Sequence, residues 1–144
     1  MPLLAFDDVP ILPYTFLNDR DRKVGGRAHQ GGPLWPDWDL QTAARHCRCG
    51  QPIDDPPETR PIEETIDGPV AWAGAILTHF GHQIAEFSTR ILPTLAERPD
   101  TSFVFAVQPE HGITELSNAP RHVAEILEWL GAVSYTHLTL PTKA

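Results

Sequence analysis

Residues 69–107 read PVAWAGAILTHFGHQIAEFSTRILPTLAERPDTSFVFAV, and the fold class follows from this stretch. Its first five residues, PVAWA, are typical of a short strand. Its last five, FVFAV, form a continuous apolar run between Pro99-Asp100 and Pro109, which is typical of a strand buried on both faces. The residues between them predict a helix. A strand, a helix and a second strand in succession predict an α/β domain with a parallel sheet.

A second helix is predicted downstream, over residues 120–130. Ser117 or Asn118 is placed to cap it, Pro120 falls in its first turn and Gly131 ends it. Apolar side chains recur at helical spacing at Val123, Ile126, Leu127 and Leu130. The alternation of strands and helices that is typical of an α/β fold is therefore predicted to continue to residue 130.

The first 65 residues carry weaker signals. Residues 3–16 are apolar but contain prolines, which suits edge strands or extended segments. Residues 18–39 are rich in Gly and Pro and predict loops, with Trp35 and Trp38 as anchors onto a core. Residues 51–68 combine prolines with acidic side chains and predict a long exposed loop.

Composition excludes several classes of partner. The formal net charge is −8, and Lys and Arg form no cluster, so we expect no binding to nucleic acid or to an anionic membrane surface. Residues 1–16 lack the basic start and unbroken apolar run of a signal peptide or a membrane span. We therefore expect a cytoplasmic location, which includes the inner face of the membrane.

The two cysteines lie in His46-Cys47-Arg48-Cys49, too close together to form a disulfide framework. As a zinc site this run offers at most three ligands, whereas a closed structural site takes four, and no second pair of cysteines exists. We therefore favour reduced thiols with no role over a metal site.

The last twelve residues, VSYTHLTLPTKA at 133–144, resemble the translation of a transposase-type sequencing adaptor. The alternative is a natural β-strand, since Val, Tyr and Thr favour strands. The adaptor interpretation makes the chain an N-terminal fragment of a longer protein, with an incomplete sheet and an exposed edge. It also divides the chain into a loop-rich region (1–65), a partial α/β domain (66–132) and a non-native tail (133–144).

The chemistry-bearing residues lie on the helix predicted over residues 78–91, with Thr78 as its cap. At roughly 100° per residue, a stripe about 80° wide contains His79, His82, Glu86 and Arg90. A second stripe, which we expect to pack on the sheet, contains Phe80, Ile84, Phe87 and Ile91. Gly81 costs about 1 kcal/mol relative to Ala, which is easier to understand if a group approaches the backbone there.

Two other interpretations of the polar stripe remain open. It can be a solvated face in which Glu86 and Arg90 form an ordinary i,i+4 pair within a non-catalytic α/β domain. It can also be a metal site of a hydrolase, with His79, His82 and Glu86 as ligands. The metalloprotease pattern, however, places its two histidines four residues apart, and this sequence does not.

The string His79-Phe80-Gly81-His82, followed by Glu86 and Arg90, is similar to the HFGHFLxExxxRLW signature of glycosyltransferase family 61. Bacterial members of this family are often described as capsular polysaccharide biosynthesis proteins. The resemblance covers residues 68–131, including the strand before the motif and the strand and helix after it. The sequence departs from the family pattern at Gln83, Phe87, Ser88 and Pro93.

The resemblance implies an enzyme that transfers a sugar with inversion from a nucleotide-sugar donor to a glycan acceptor in surface polysaccharide biosynthesis. It implies two Rossmann-like domains of the GT-B type, of which this chain carries part of the N-terminal, acceptor-side domain. His82 or Glu86 would be the catalytic base. His79 and Gly81 would contact substrate, and Arg90 would hold Glu86 or bind the donor diphosphate. Residues 66–132 contain no Asp-x-Asp motif, so we expect a metal-independent mechanism without a cofactor.

Overall fold

A computed structural model of the chain describes residues 3–16, 29–108, 111–132 and 138–140. Two compact units can be distinguished within it. The N-terminal unit is Leu4–Glu64, and the C-terminal unit comprises the described residues from Thr65 onward together with Leu3. Helices and strands are mixed, so the chain has the α/β character that the sequence predicts.

The N-terminal unit is built from short strands: β1 (Ile11–Phe16), β2 (His29–Pro33), β3 (Cys47–Arg48), β4 (Gln51–Pro52) and β5 (Asp54–Asp55). One sheet has the order β1-β2-β5, with β1 antiparallel and β5 parallel to β2. Strands β3 and β4 form a separate antiparallel pair. Because β1 lies at the edge of its sheet, it tolerates a proline, as the sequence predicts.

Strand β2 corrects the prediction of loops over residues 18–39, of which residues 18–28 lie outside the described part. It was missed because its sequence, HQGGP, contains no β-branched residue. Gly31 has φ +109, and a Cβ there would come within 1.9 Å of the carbonyl oxygen of Pro13 on β1. The two strands therefore approach so closely that only glycine fits at this position.

The predicted exposed loop over residues 51–68 is also corrected in its first part. Asp54 is buried, and its Oδ1 accepts a hydrogen bond of 2.9 Å from Nε of Arg45. The guanidinium of Arg45 lies 4.7 Å from the centre of the Trp38 ring, and Trp35 packs against Phe6 at 5.2 Å between ring centres. The exposed segment is therefore shorter than predicted, and residues 58–65 are all exposed.

The C-terminal unit contains a parallel sheet of order β6-β7-β8. Helical segments lie between consecutive strands along the chain. Strands β6 (Val70–Ala75) and β7 (Ser102–Ala106) confirm the two predicted strands, and their parallel pairing confirms the predicted sheet type. Helix α3 is Arg121–Trp129. The helical elements between β6 and β7 are α1 (Phe80–His82), a π-helical turn (Gln83–Phe87), a 3-10 turn (Ser88–Arg90) and α2 (Ile91–Glu97).

The core of this unit joins β7 to α3. Residues 103–107 are all buried, as expected of a strand covered on both faces. The core contains the four apolar side chains predicted for this helix. Three belong to α3 and the fourth follows it directly: Val123, Ile126, Leu127 and Leu130. Gly131 ends the helix at φ +75, a left-handed conformation that glycine adopts without steric cost.

The predicted cap of α3 is wrong. The N-cap is Pro120, not Ser117 or Asn118. Asn118 instead ends a separate 3-10 turn (Leu116–Asn118), where its side chain and that of Glu115 form a reciprocal capping box. The proline follows this turn and pre-sets the backbone for the helix after it.

Strand β8 (Leu138–Leu140) pairs in parallel with Val104–Ala106 of β7. It lies within the segment that resembles an adaptor translation. Pairing at a sheet edge uses backbone groups that every sequence carries, and Leu-Thr-Leu includes a strand-favouring Thr. Within the described residues, no helix is long and apolar enough to cross a membrane.

Candidate functional site

The candidate site begins where the strands of the parallel sheet end. Because β6 and β7 are parallel, their carboxyl ends lie at the same edge of the sheet. The N–H of Ile76 donates to the carbonyl of Ala106 at 2.9 Å, which extends their pairing by one step. The chain then passes through Leu77 and Thr78 into the HFGH motif. In open α/β sheets, ligands bind at this carboxyl edge.

His79 caps the helix, which corrects the assignment of that role to Thr78. Its backbone is extended (φ −87, ψ 113), and its Nδ1 accepts a hydrogen bond from the N–H of His82 at 3.3 Å. An accepting Nδ1 in a neutral ring places the proton on Nε2. The first histidine of the motif therefore has a structural role at the start of the helix.

Gly81 is explained by the ring of His79. A Cβ at position 81 would lie 3.2 Å from Cε1 and 3.4 Å from Nδ1 of that ring. The rings of His79 and His82 are themselves close, with centres 4.6 Å apart. The group that approaches the backbone at Gly81, as the sequence led us to expect, is thus a side chain of the same motif.

His82 and Glu86 form a hydrogen-bonded pair. Nδ1 of His82 lies 2.8 Å from Oε1 of Glu86, and the two side chains are 37% and 16% exposed. Because a carboxylate accepts, Nδ1 carries the proton and donates, which leaves Nε2 as a proton acceptor. A carboxylate that orients an imidazole in this way is a recurring arrangement in general-base catalysis. The pair can therefore take a proton from a bound hydroxyl.

The helix is not regular, and this alters the predicted stripes. The π-helical turn Gln83–Phe87 adds a residue to one turn, and a tighter 3-10 turn follows it. Phe87 and Ile91 are buried as predicted, but Phe80 and Ile84 are 55% and 38% exposed, so their predicted packing on the sheet is wrong. Irregular turns of this kind are frequent at functional sites.

Arg90 lies beyond the π-helical turn, in the 3-10 turn, and its side chain is half-buried. Its carbonyl accepts a hydrogen bond of 2.7 Å from Oγ1 of Thr94. The structure thus brings together His79, Gly81, His82 and Glu86 within the first turns, and places Arg90 in the next segment. A role for Arg90 towards Glu86 or a diphosphate stays a prediction.

Gln83 holds the site to the sheet and was missed as a functional residue. It is 1% exposed. Its Oε1 accepts from the N–H of Leu77 at 2.7 Å, and its Nε2 donates to Oγ of Ser88 at 3.3 Å. The residues that lead from β6 into the motif are thereby fixed. The sequence signal at this position was that Gln83 departs from the HFGHFLxExxxRLW pattern. Such a departure does not indicate which groups the side chain bonds.

Gln108 is a second buried glutamine at the same edge. It follows β7, is 1% exposed, and its Nε2 has no hydrogen-bond partner among the described residues. Its backbone carbonyl accepts from the N–H groups of His111 and Ile113. From sequence, a polar residue after an apolar run signals only the end of a strand.

Neither of the two ligand sets that the sequence offered for a metal is brought together in the described residues. Ligand atoms of His79, His82 and Glu86 do not all lie within 4.8 Å of one another, and no group of three such ligands in the described residues contains a cysteine. No disulfide joins Cys47 to Cys49, both of which are described, and Sγ of Cys47 donates to the carbonyl of Thr42 at 3.1 Å. Asp-x-Asp sequences do occur outside residues 66–132, at 19–21 and 37–39, so that motif cannot be used against a metal in the chain as a whole.

Comparison of the chain with models of protein families, with curated proteins and with solved structures finds no match. The HFGH motif, with its geometry, is therefore the basis for a proposed function. Its central feature is the pair of His82 and Glu86, held at the carboxyl edge of a parallel sheet by the cap of His79 and the buried amide of Gln83.

Proposed function

We propose that residues 66–132 form part of the acceptor-side domain of an inverting glycosyltransferase. The enzyme would move a sugar from a nucleotide-sugar donor to a glycan acceptor in surface polysaccharide biosynthesis. The observation that carries the proposal is the His82–Glu86 pair at 2.8 Å, within a motif similar to that of glycosyltransferase family 61. We also propose that the α/β unit described above is a Rossmann-like domain of a two-domain enzyme of the GT-B type.

In the proposed reaction, the acceptor hydroxyl oxygen attacks the anomeric carbon of the donor sugar. The new C–O bond forms as the bond from that carbon to the diphosphate oxygen breaks, and the nucleoside diphosphate leaves with the electron pair. Nε2 of His82 takes the hydroxyl proton during the attack. The carboxylate of Glu86 stabilises the resulting imidazolium through the hydrogen bond at Nδ1. This arrangement favours His82 as the base and Glu86 as the residue that positions it.

His79 supports the pair. Its hydrogen bond to the N–H of His82 holds the first turn, and its ring restricts the ring of His82. Because Nδ1 of His79 is engaged in the cap, this histidine is a less suitable base than His82. Arg90 would meet the negative charge of the donor, since a guanidinium matches a phosphate with paired hydrogen bonds.

The experiment uses the gene recovered from the source DNA, read beyond Ala132, and expressed in full. Release of nucleoside diphosphate is measured with a panel of nucleotide sugars and glycan acceptors. His82→Ala is expected to lower turnover by about 10²–10⁴-fold, the usual contribution of a general base. Glu86→Gln keeps the shape of the side chain but loses the charge, so a smaller loss is expected.

The matched control is Glu128→Gln, which changes an exposed carboxylate on α3 in the same unit. It is expected to leave turnover unchanged. Circular dichroism and thermal unfolding establish that each variant is folded. Normal turnover in a folded His82→Ala variant would contradict the assignment.

A further inference from the structure

An apolar groove runs beside the candidate site. It lies between α3 and the start of the helical segment 80–97, which we call the site helix. Its volume is about 260 Å³. The lining residues are Phe80, Ile84, His122, Glu125, Ile126 and Trp129. Trp129 is 75% exposed and Phe80 is 55% exposed, although both side chains are large and apolar. Apolar side chains gathered in a surface groove mark a binding surface more often than scattered ones do.

The groove follows directly from the fold. The π-helical turn leaves Phe80 and Ile84 exposed, where the helical pattern alone would have buried them against the sheet. The ring of His122 meets Phe80 edge-on, with centres 5.8 Å apart and planes at 76°, a favourable arrangement of aromatic rings. Phe80 is therefore held by α3 while a large part of its ring faces solvent.

The size of the groove argues against a protein occupant. A stable protein interface uses about 20–30 residues on each side, and this groove offers six. A small ligand does not need so large a surface.

The chemistry of the groove matches a sugar ring. A pyranose has one face of C–H groups and a rim of hydroxyls, so it pairs with an aromatic face and with hydrogen-bond acceptors. Trp129 offers the aromatic face. The carboxylate of Glu125 is 57% exposed; its Oε1 accepts a hydrogen bond of 2.7 Å from Nε of Arg121, and its other oxygen can accept from a hydroxyl. The volume lies slightly below the roughly 300–1,000 Å³ of sites for drug-sized ligands, which suits one or two rings.

We propose that this groove binds a neutral sugar ring of the glycan acceptor, stacked on Trp129 and hydrogen-bonded to Glu125. Phe80 belongs both to the groove and to the HFGH motif, between His79 and Gly81, so a sugar bound in the groove would lie next to that motif. The inference deepens the proposed transferase function, because it depends on that function for the role of the bound sugar as an acceptor.

The test is a binding titration on the 144-residue chain, followed by nuclear magnetic resonance. The probes are neutral tetrasaccharides of glucose and of N-acetylglucosamine with α and β linkages. At least one is expected to shift the indole N–H signal of Trp129, assigned with Trp129→Phe, and the backbone amides of α3, in a saturable manner. Trp129→Ala is expected to weaken binding about tenfold, and Trp129→Phe, which keeps an aromatic ring, by less.

Leu92→Ala is the matched control, since Leu92 is an exposed apolar residue of the same unit outside the groove, and it is expected to bind as the unchanged chain does. Three results would overturn the proposal. These are no shift with any tetrasaccharide, equal affinity in folded Trp129→Ala, and shifts at Trp129 that depend on protein concentration, as contact between copies would produce.

The two proposals fail separately. His82→Ala lies outside the groove and is expected to bind the tetrasaccharides normally. Sugar binding without transfer in the full-length protein would contradict the transferase but support the groove. Transfer without binding at Trp129 would contradict the groove alone.

Discussion

At the scale of single residues, two buried glutamines differ in whether the side-chain N–H group has a hydrogen-bond partner. Gln83 and Gln108 are both 1% exposed and both belong to the C-terminal unit. Gln83 satisfies the buried N–H of Leu77 and donates to Ser88, whereas Nε2 of Gln108 has no partner among the described residues. Removing a partner from a buried donor costs the full desolvation of that donor, whereas removing a buried donor that has no partner does not.

We therefore predict opposite effects for one substitution at the two positions. Gln83→Met leaves the N–H of Leu77 buried without a partner and is expected to lower the free energy of unfolding by about 1–3 kcal/mol. Gln108→Met is expected to be neutral or slightly stabilising, and serves as the control because methionine has nearly the same length. Chemical denaturation of both variants measures the difference. Equal destabilisation would show that the hydrogen bonds of Gln83 contribute no specific stability.

At the scale of elements, the site helix packs closely on β6 at a glycine of the strand. β6 has an irregular register between Trp72 and Gly74, and Gly74 adopts φ +95. A Cβ at this position would lie 2.8 Å from Cδ1 of Phe87, the last residue of the π-helical turn. The buried ring of Phe87 thus packs directly onto the backbone of the strand, which anchors the irregular turn to the sheet.

Alanine at Gly74 tests this contact. Gly74→Ala adds both backbone strain and a clash with Phe87, and is expected to lower the free energy of unfolding by about 3 kcal/mol or more. Gly131→Ala is the control: its φ is also positive, at +75, but a Cβ there meets no atom within 4 Å. It is expected to cost only about 1–2 kcal/mol, the left-handed backbone penalty. Thermal and chemical unfolding compare the two, and similar losses would argue against the packing of Phe87 on the strand.

At the scale of the whole molecule, the described chain has two compact units with an exposed acidic segment at their boundary. Residues 58–65 are all exposed and belong to no helix or strand. Exposed, irregular backbone is where proteases cut first, because it can enter a protease cleft without unfolding its surroundings. The sequence composition of this segment, rich in proline and acidic residues, already indicated such exposure.

We predict that a protease specific for glutamate cuts first after Glu58, Glu63 or Glu64. Glu125 and Glu128 provide the internal control, since they are exposed but lie within α3. Mass spectrometry over a time course of digestion identifies the first products, which should separate near the boundary at Glu64–Thr65. First cuts within α3 would contradict the exposure described for this segment.

The sequence by itself determined the α/β class, the two strands β6 and β7, their parallel pairing and the apolar face of α3. These features follow from local patterns, because a continuous apolar run and a helical spacing of apolar residues each require only a nearby core. It also determined that His82 and Glu86 lie close together, since they are four residues apart in a helical segment. Strand β2 was not predicted, because its pairing depends on two glycines and on the close approach of β1. A local sequence pattern contains neither signal.

The tertiary structure alone decided the details that make the motif a site. The π-helical turn arises where Phe87 packs on Gly74 and Gln83 bonds Leu77, and it exposes Phe80 and Ile84. The helix is capped by His79 and not by Thr78. The ring of His79 accepts from the N–H of His82 beside Gly81, where a Cβ would be in tight contact with that ring. Local propensity treats a helix as uniform, whereas these features depend on contacts between residues that lie far apart along the chain or on neighbouring elements.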